Sequence, residues 1–159
     1  MTRPRKVLNS ASADDTANLA VAIGKHLKPG DCLLLQGPIG SGKTHFSRHL
    51  IQSLLDQHED VPSPTFTLVQ TYDTAVGEIW HADLYRLTSV DEVEELGLVE
   101  AFDTAICLVE WPEKLGPNAP ETALHMTFAS DPEIEGARQI TLEWTDQKWA
   151  EKLEHLPHG

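Results

Sequence analysis

Cysteine is scarce in this 159-residue chain, with two copies, and cations are outnumbered, 12 Lys and Arg against 25 Asp and Glu. Cys32 and Cys107 each sit inside an apolar run of strand length. They therefore read as small core residues of a reducing compartment, not as a disulfide or a metal pair. A formal net charge of −13 argues against direct wrapping of a nucleic acid, because neutralising phosphates needs a clustered Lys/Arg surface. Any RNA involved is expected to be held by a partner. Long hydrophobic runs are missing as well. The basic start Met1-Thr2-Arg3-Pro4-Arg5-Lys6 is followed by no apolar segment of signal-peptide or membrane-spanning length, so a soluble, cytoplasmic protein with no membrane contact is expected. There is no Asn-Lys-x-Asp for guanine, no Leu-Ser-Gly-Gly-Gln transporter signature and no arginine-rich lid of the nucleotide-kinase kind. His45 and His49 have zinc-ligand spacing, but Phe46 stands where a metalloprotease helix needs Glu.

What is present centres on Gly37-Pro38-Ile39-Gly40-Ser41-Gly42-Lys43-Thr44, which fits G-x-x-x-x-G-K-[ST] at every specified position. The glycines permit a concave backbone nest whose N–H groups face phosphate oxygens. Lys43 is placed to reach the β and γ phosphates. Thr44, in the first turn of the next helix, offers a hydroxyl to Mg²⁺, and the helix N-terminus adds partial positive charge. The order of elements agrees. Asp31-Cys32-Leu33-Leu34-Leu35-Gln36 is a strand-length apolar run just before the loop, and Phe46, Leu50, Ile51, Leu54 and Leu55 follow at helical spacing.

The rest of the chain predicts one domain over residues 1–159, with no repeat, linker or low-complexity segment. A short strand segment, Val7-Leu8, precedes a helix capped by Ser12 or Asp14, which is expected to run to Lys28-Pro29-Gly30. Residues 65–72 and 78–83 read as an antiparallel hairpin pair, and a helix is predicted to start at Asp91-Glu92. Ala105-Ile106-Cys107-Leu108-Val109 is continuous enough for a strand buried on both faces. A second strand pair over 123–130 and 137–144 leads into a terminal helix over 146–155. The fold class expected is α/β: a P-loop NTPase-like three-layer sandwich with a mostly parallel central sheet and antiparallel hairpin strands.

A triphosphate grip also needs a carboxylate at the end of a neighbouring strand to hold the Mg²⁺ shell. Glu110 ends the most apolar strand, and ligands of open α/β sheets collect at such ends. Asp83 ends the run Ile79-Trp80-His81-Ala82 and is a candidate to orient the attacking water or to support Thr44 and Lys43. Thr65, in the stiff Pro62-Ser63-Pro64 loop, is a candidate to present its hydroxyl to the γ phosphate. Trp111 is placed to shield the site from water, and His81 reads as a structural histidine with a site role left open.

These pieces resemble the TsaE-type ATPases of bacterial threonylcarbamoyladenosine modification of tRNA. Besides residues 37–44, the resemblance rests on Ser63-Pro64-Thr65-Phe66-Thr67-Leu68-Val69, His81-Ala82-Asp83-Leu84-Tyr85-Arg86-Leu87 and Ile106-Cys107-Leu108-Val109-Glu110-Trp111-Pro112-Glu113. It implies that Lys43 and Thr44 bind phosphates and Mg²⁺, that Glu110 is a magnesium ligand, and that Thr65 and Asp83 support ATP hydrolysis. It further implies that the early helix around Thr16 lodges the adenine and that Arg138 reaches the nucleotide. The chain departs from the usual pattern at Pro38, where the family often has an acid, and at Ser41, where it often has Ala. The implied partners are the TsaD and TsaB proteins, with tRNA met only through them and ATP hydrolysis resetting their complex. Two other readings stay open: a small-molecule kinase with the same phosphate grip, and a nucleotide-dependent binding module whose switch is the loop around Thr65.

Overall fold

The computed structural model describes residues 3–57, 59–64 and 67–156, and among these seven strands form one sheet. In chain order the elements are β1 (Arg5–Ser10), α1 (Ala13–Gly24), β2 (Cys32–Gln36), α2 (Lys43–Leu54), β3 (Val69–Thr74), β4 (Gly77–Asp83), α3 (Asp91–Glu95), α4 (Leu98–Thr104), β5 (Ile106–Glu110), β6 (Leu124–Ser130), β7 (Arg138–Glu143) and α5 (Lys148–Leu153). A stretch of 3₁₀ turns, broken at Gly116, covers Pro112–Asn118.

The two most apolar runs occupy the middle of the sheet. Strand order is β1-β7-β6-β2-β5-β4-β3, with β6, β2, β5 and β4 parallel and β7, β1 and β3 added antiparallel at the two flanks. A strand with parallel neighbours on both sides is covered on both faces, which is why β2 and β5 read as unbroken apolar stretches. Alternation sends Leu33, Leu35, Ile106 and Leu108 to one face, against Ile23 of α1, Phe46, Leu50 and Ile51 of α2 and Trp149 of α5. Cys32, Leu34, Cys107 and Val109 go to the other, against Val93, Leu98, Ala101 and Phe102 of α3 and α4. Helices on both faces of one mixed sheet give the three layers expected. Both cysteines are buried there, and burial pushes the Cys107 thiol up to about 12. They are inert core residues.

Several boundaries differ from the sequence reading for local reasons. Helix α1 starts as predicted, with the Ser12 hydroxyl accepting from the Asp15 N–H. It stops at Gly24, before Lys28-Pro29-Gly30, because the chain tightens there. His26 donates to the Ile23 carbonyl and Leu27 to that of Gly24, which turns Leu27 into the core. Strand β3 begins only at Val69 because Leu68 takes a left-handed φ of 69° and its N–H turns back to the Pro64 carbonyl at 2.7 Å. The helix starting at Asp91 is a single turn. Gly97, at φ 79°, breaks it and starts α4, an element the sequence reading lacked. No helix among the described residues is long and apolar enough to cross a membrane.

Candidate active site

All the parallel strands point their carboxyl ends to one edge of the sheet, and the glycine loop springs from that edge, between β2 and α2. Gly37, Gly40 and Gly42 all have positive φ, and a Cβ on Gly37 would lie 2.7 Å from the Phe128 carbonyl of β6 and 2.7 Å from Ser41 Oγ. The loop can follow its path only with glycine at that point. Helix α2 begins at Gly42 with no side-chain cap. Its first-turn N–H groups, which have no intrahelical partner, stay open to an anion.

A cavity of about 480 Å³ lies at this edge, and the loop residues Ile39, Gly40, Gly42, Lys43 and Thr44 line one side of it. Asp83, Glu110, Trp111, Tyr85, His45 and Arg138 line the rest. Asp83 and Glu110 are register partners at the ends of β4 and β5. Glu110, only 2% exposed, accepts the Thr44 hydroxyl at Oε1 (2.7 Å) and meets His81 Nε2 at Oε2 (2.6 Å). Lys43 Nζ donates to the Gly37 carbonyl at 2.6 Å and stands 3.6 Å from the centre of the Trp111 ring. Burial lowers the Lys43 pKa below the ordinary lysine value, against the opposing pull of Glu110, Glu113 and Asp83. Trp111 has a left-handed backbone (φ 59°), which is uncommon for a residue with a Cβ. That turn lays its ring over Lys43 and beside Tyr85, whose ring centroid is 4.9 Å away.

The structure thus brings Ile39, Gly40, Gly42, Lys43, Thr44, Asp83, Glu110, Trp111 and Arg138 around one cavity. Gly37 and Ser41 stand behind its wall. Arg138, predicted to reach a nucleotide, spends its guanidinium on the loop: Nε donates to the Ser41 carbonyl (2.7 Å) and an Nη to that of Gly40 (3.1 Å). Thr16 is turned inward, its hydroxyl 2.7 Å from Ser10 Oγ. Its neighbours Ser10, Ala11 and Asp15 line a second cavity of about 450 Å³, which has Arg138 in common with the first. Thr65 lies outside the described residues. Tyr85 and His45 were not read as site residues from the sequence. Tyr85 could have been suspected from its place two beyond Asp83, whose Oδ1 accepts its N–H. His45 depends on the Ala13 carbonyl, 2.9 Å from its Nε2, and so on α1 packing against α2.

A magnesium nucleotide suits these donors and acceptors. The uncapped helix end, open glycine nest and ammonium answer phosphate, and one or two carboxylates with a hydroxyl are what a largely water- and phosphate-ligated Mg²⁺ takes from protein. Among the described residues no group of three or more His, Cys, Asp or Glu could by itself hold a metal. A dedicated all-protein metal cage is not what this edge offers.

Comparison with known proteins points one way. Residues 10–140 match the model of the family described as threonylcarbamoyl adenosine biosynthesis protein TsaE. The chain is 43% identical over 113 residues to the tRNA threonylcarbamoyladenosine biosynthesis protein TsaE of Rickettsia bellii, covering 71% of this chain and 77% of that one. To the protein of the same name in Bacillus subtilis it is 33% identical over 150 residues, 92% and 90% of the two chains. The crystal structure of Bacillus subtilus YdiB superposes with a TM-score of 0.78 at 25% identity, covering 98% of this chain and 96% of that one. The chain belongs to the TsaE family.

Proposed function

We propose that this protein is a Mg²⁺-dependent ATPase of the P-loop NTPase kind that serves tRNA threonylcarbamoyladenosine biosynthesis in the cytoplasm by acting on a TsaD–TsaB complex. The observation that carries the reading is the Thr44 hydroxyl bonded at 2.7 Å to Glu110, within a cavity that Lys43 and Asp83 also line. Residues 66 positions apart in sequence are held together at the foot of a glycine nest, a juxtaposition that hydrolysis of a polyphosphate needs and packing does not.

The roles follow from position. The loop N–H groups and the first turn of α2 bind phosphate oxygens. Lys43 turns from the Gly37 carbonyl and the Trp111 ring to the phosphates, exchanging a hydrogen bond to a neutral carbonyl for bonds in which both partners are charged. Thr44 and Glu110 are the residues that would hold Mg²⁺, and the ion would supply positive charge to the phosphates during hydrolysis. Asp83, in register with Glu110, orients the attacking water; a part for Thr65 in hydrolysis rests on the family resemblance alone. Trp111 and Tyr85 exclude bulk water from Lys43. The adenine takes the second cavity beside the start of α1, near Thr16, with Arg138 at the junction of base and phosphates.

Turnover is slow without partners, because Arg138 is already engaged with loop carbonyls and provides no free guanidinium for the transition state. A net charge of −13 leaves tRNA to be held by TsaD and TsaB. The test is phosphate release from ATP with and without TsaD and TsaB, for wild type, Glu110→Ala and Asp83→Ala. Stimulation by the partners and severe loss in both variants is the expected result. Phosphorylation of a metabolite pool in place of phosphate release would establish a small-molecule kinase instead.

A further inference from the structure

We infer that His81 is a positioning residue that fixes the Glu110 carboxylate for its divalent cation, an inference that rests on the ATPase reading above. His81 lies on β4 opposite Leu108 of β5, two residues before Glu110, so the two side chains project from the same face of the sheet. A glutamate side chain has three rotatable torsions, the last of them broad. Here both oxygens are fixed: Oε2 by His81 Nε2 at 2.6 Å and Oε1 by the Thr44 hydroxyl at 2.7 Å. A carboxylate that ligates a cation can only accept, so in that form Nε2 carries the hydrogen and donates. The pair leaves Oε1 on the side of the phosphate loop and turns Oε2 into the sheet.

Packing alone does not explain an imidazole at this place. His81 is 0% exposed, and its Nδ1 meets no hydrogen-bond partner among the described residues. A buried polar atom left unpaired is costly, and an aliphatic side chain of similar volume would fill the space without that cost. Among the described residues the His81 ring makes its polar contact with Glu110, in the way outer hydrogen-bond donors orient metal-binding carboxylates.

The experiment measures ADP affinity by calorimetry across a Mg²⁺ series, together with the Mg²⁺ concentration for half-maximal ATP hydrolysis. Wild type, His81→Leu and His81→Gln are compared, with folding checked by a cooperative melt. His81→Leu is expected to raise the half-saturating Mg²⁺ about 10–100-fold, the usual effect of losing such a donor, while ADP affinity without Mg²⁺ stays within about two-fold of wild type because the glycine loop is untouched. His81→Gln, whose amide N–H reaches the place of Nε2, restores the wild-type Mg²⁺ dependence. A folded His81→Leu with wild-type half-saturation overturns the inference alone. So does a His81→Gln that needs about ten-fold more Mg²⁺, and this variant decides the matter if His81→Leu does not fold. Wild-type protein that neither binds ADP nor hydrolyses ATP at any Mg²⁺ concentration overturns the ATPase reading and this inference with it.

Discussion

Two carboxylates are buried at opposite ends of the central strands, and they are treated differently. Asp31, just before β2 and 4% exposed, receives Lys148 Nζ at 2.9 Å, Lys152 Nζ at 2.6 Å and the Lys28 backbone N–H at 2.8 Å. Glu110, at the end of β5, receives an imidazole and a hydroxyl, while the Lys43 ammonium is directed to the Gly37 carbonyl and the Trp111 ring. Burial alone would raise the Asp31 pKa, but the hydrogen bonds from Lys148, Lys152 and the Lys28 N–H outweigh it and hold the carboxyl below its ordinary value. Asp31 is saturated with charge and staples α5 to the start of β2. Glu110 is held by two hydrogen bonds, and among the described residues no Lys or Arg is bonded to it, which suits a group kept ready for a cation. Depth of burial is nearly the same in the two. What separates the staple from the site is whether lysines are bonded directly to the carboxylate.

That contrast can be broken or sharpened. Glu110→Ala is expected to lower partner-stimulated ATP hydrolysis by about a hundred-fold or more and to cost about 1–3 kcal/mol of stability, because buried His81 Nε2 loses its partner; a loss of stability without loss of rate would make Glu110 a staple as well. Gly37→Ala drives a Cβ to 2.7 Å from the Phe128 carbonyl. It should weaken ADP binding by about ten-fold or more, measured by calorimetry, because loop and β6 cannot both keep their places. Asp31→Ala should cost about 3 kcal/mol, as when one partner of a buried pair is removed. With about 2–4 °C per kcal/mol for a chain of this size, the melting midpoint falls about 6–12 °C and ADP affinity is unchanged.

The pH dependence follows from the direction of the Asp31 shift. A carboxyl depressed in the folded state contributes stability above its unfolded pKa of about 3.9, and that contribution is lost as pH falls through the folded value. The melting difference between wild type and Asp31→Asn should therefore hold from neutral pH to about pH 5 and shrink below about pH 4; a difference that grows in acid would contradict the staple. The smallest effect belongs to Ser41→Ala. Ser41 Oγ is buried with no partner among the described residues, so its removal should be neutral or stabilising by up to about 1 kcal/mol with ADP affinity within about two-fold of wild type. A larger loss of affinity would show that this hydroxyl touches the nucleotide.

Legibility followed how local each signal was. The glycine loop, the strand before it and the apolar run ending at Glu110 were readable because each imposes its own residue types over a few positions. The sheet's parallel centre and antiparallel flanks followed from continuous against alternating patterns. Nothing local in the sequence sets Asp31 apart, since its partners Lys148 and Lys152 come from a helix more than a hundred residues away. His81 was visible as a residue but not as a donor to Glu110, because strand register decides that contact. Helix α4 was missed because a seven-residue element behind Gly97 is too short to show a helical period.

Arg138 ties the first of these regions to the far side of the sheet. Its guanidinium reaches from β7 to the Ser41 and Gly40 carbonyls, so the phosphate loop is tethered to a strand roughly a hundred positions later. The antiparallel pair β6–β7 is thus part of the machinery and not an ornamental border. A fragment ending before β7 would keep every residue of the glycine pattern and lose the brace that shapes it.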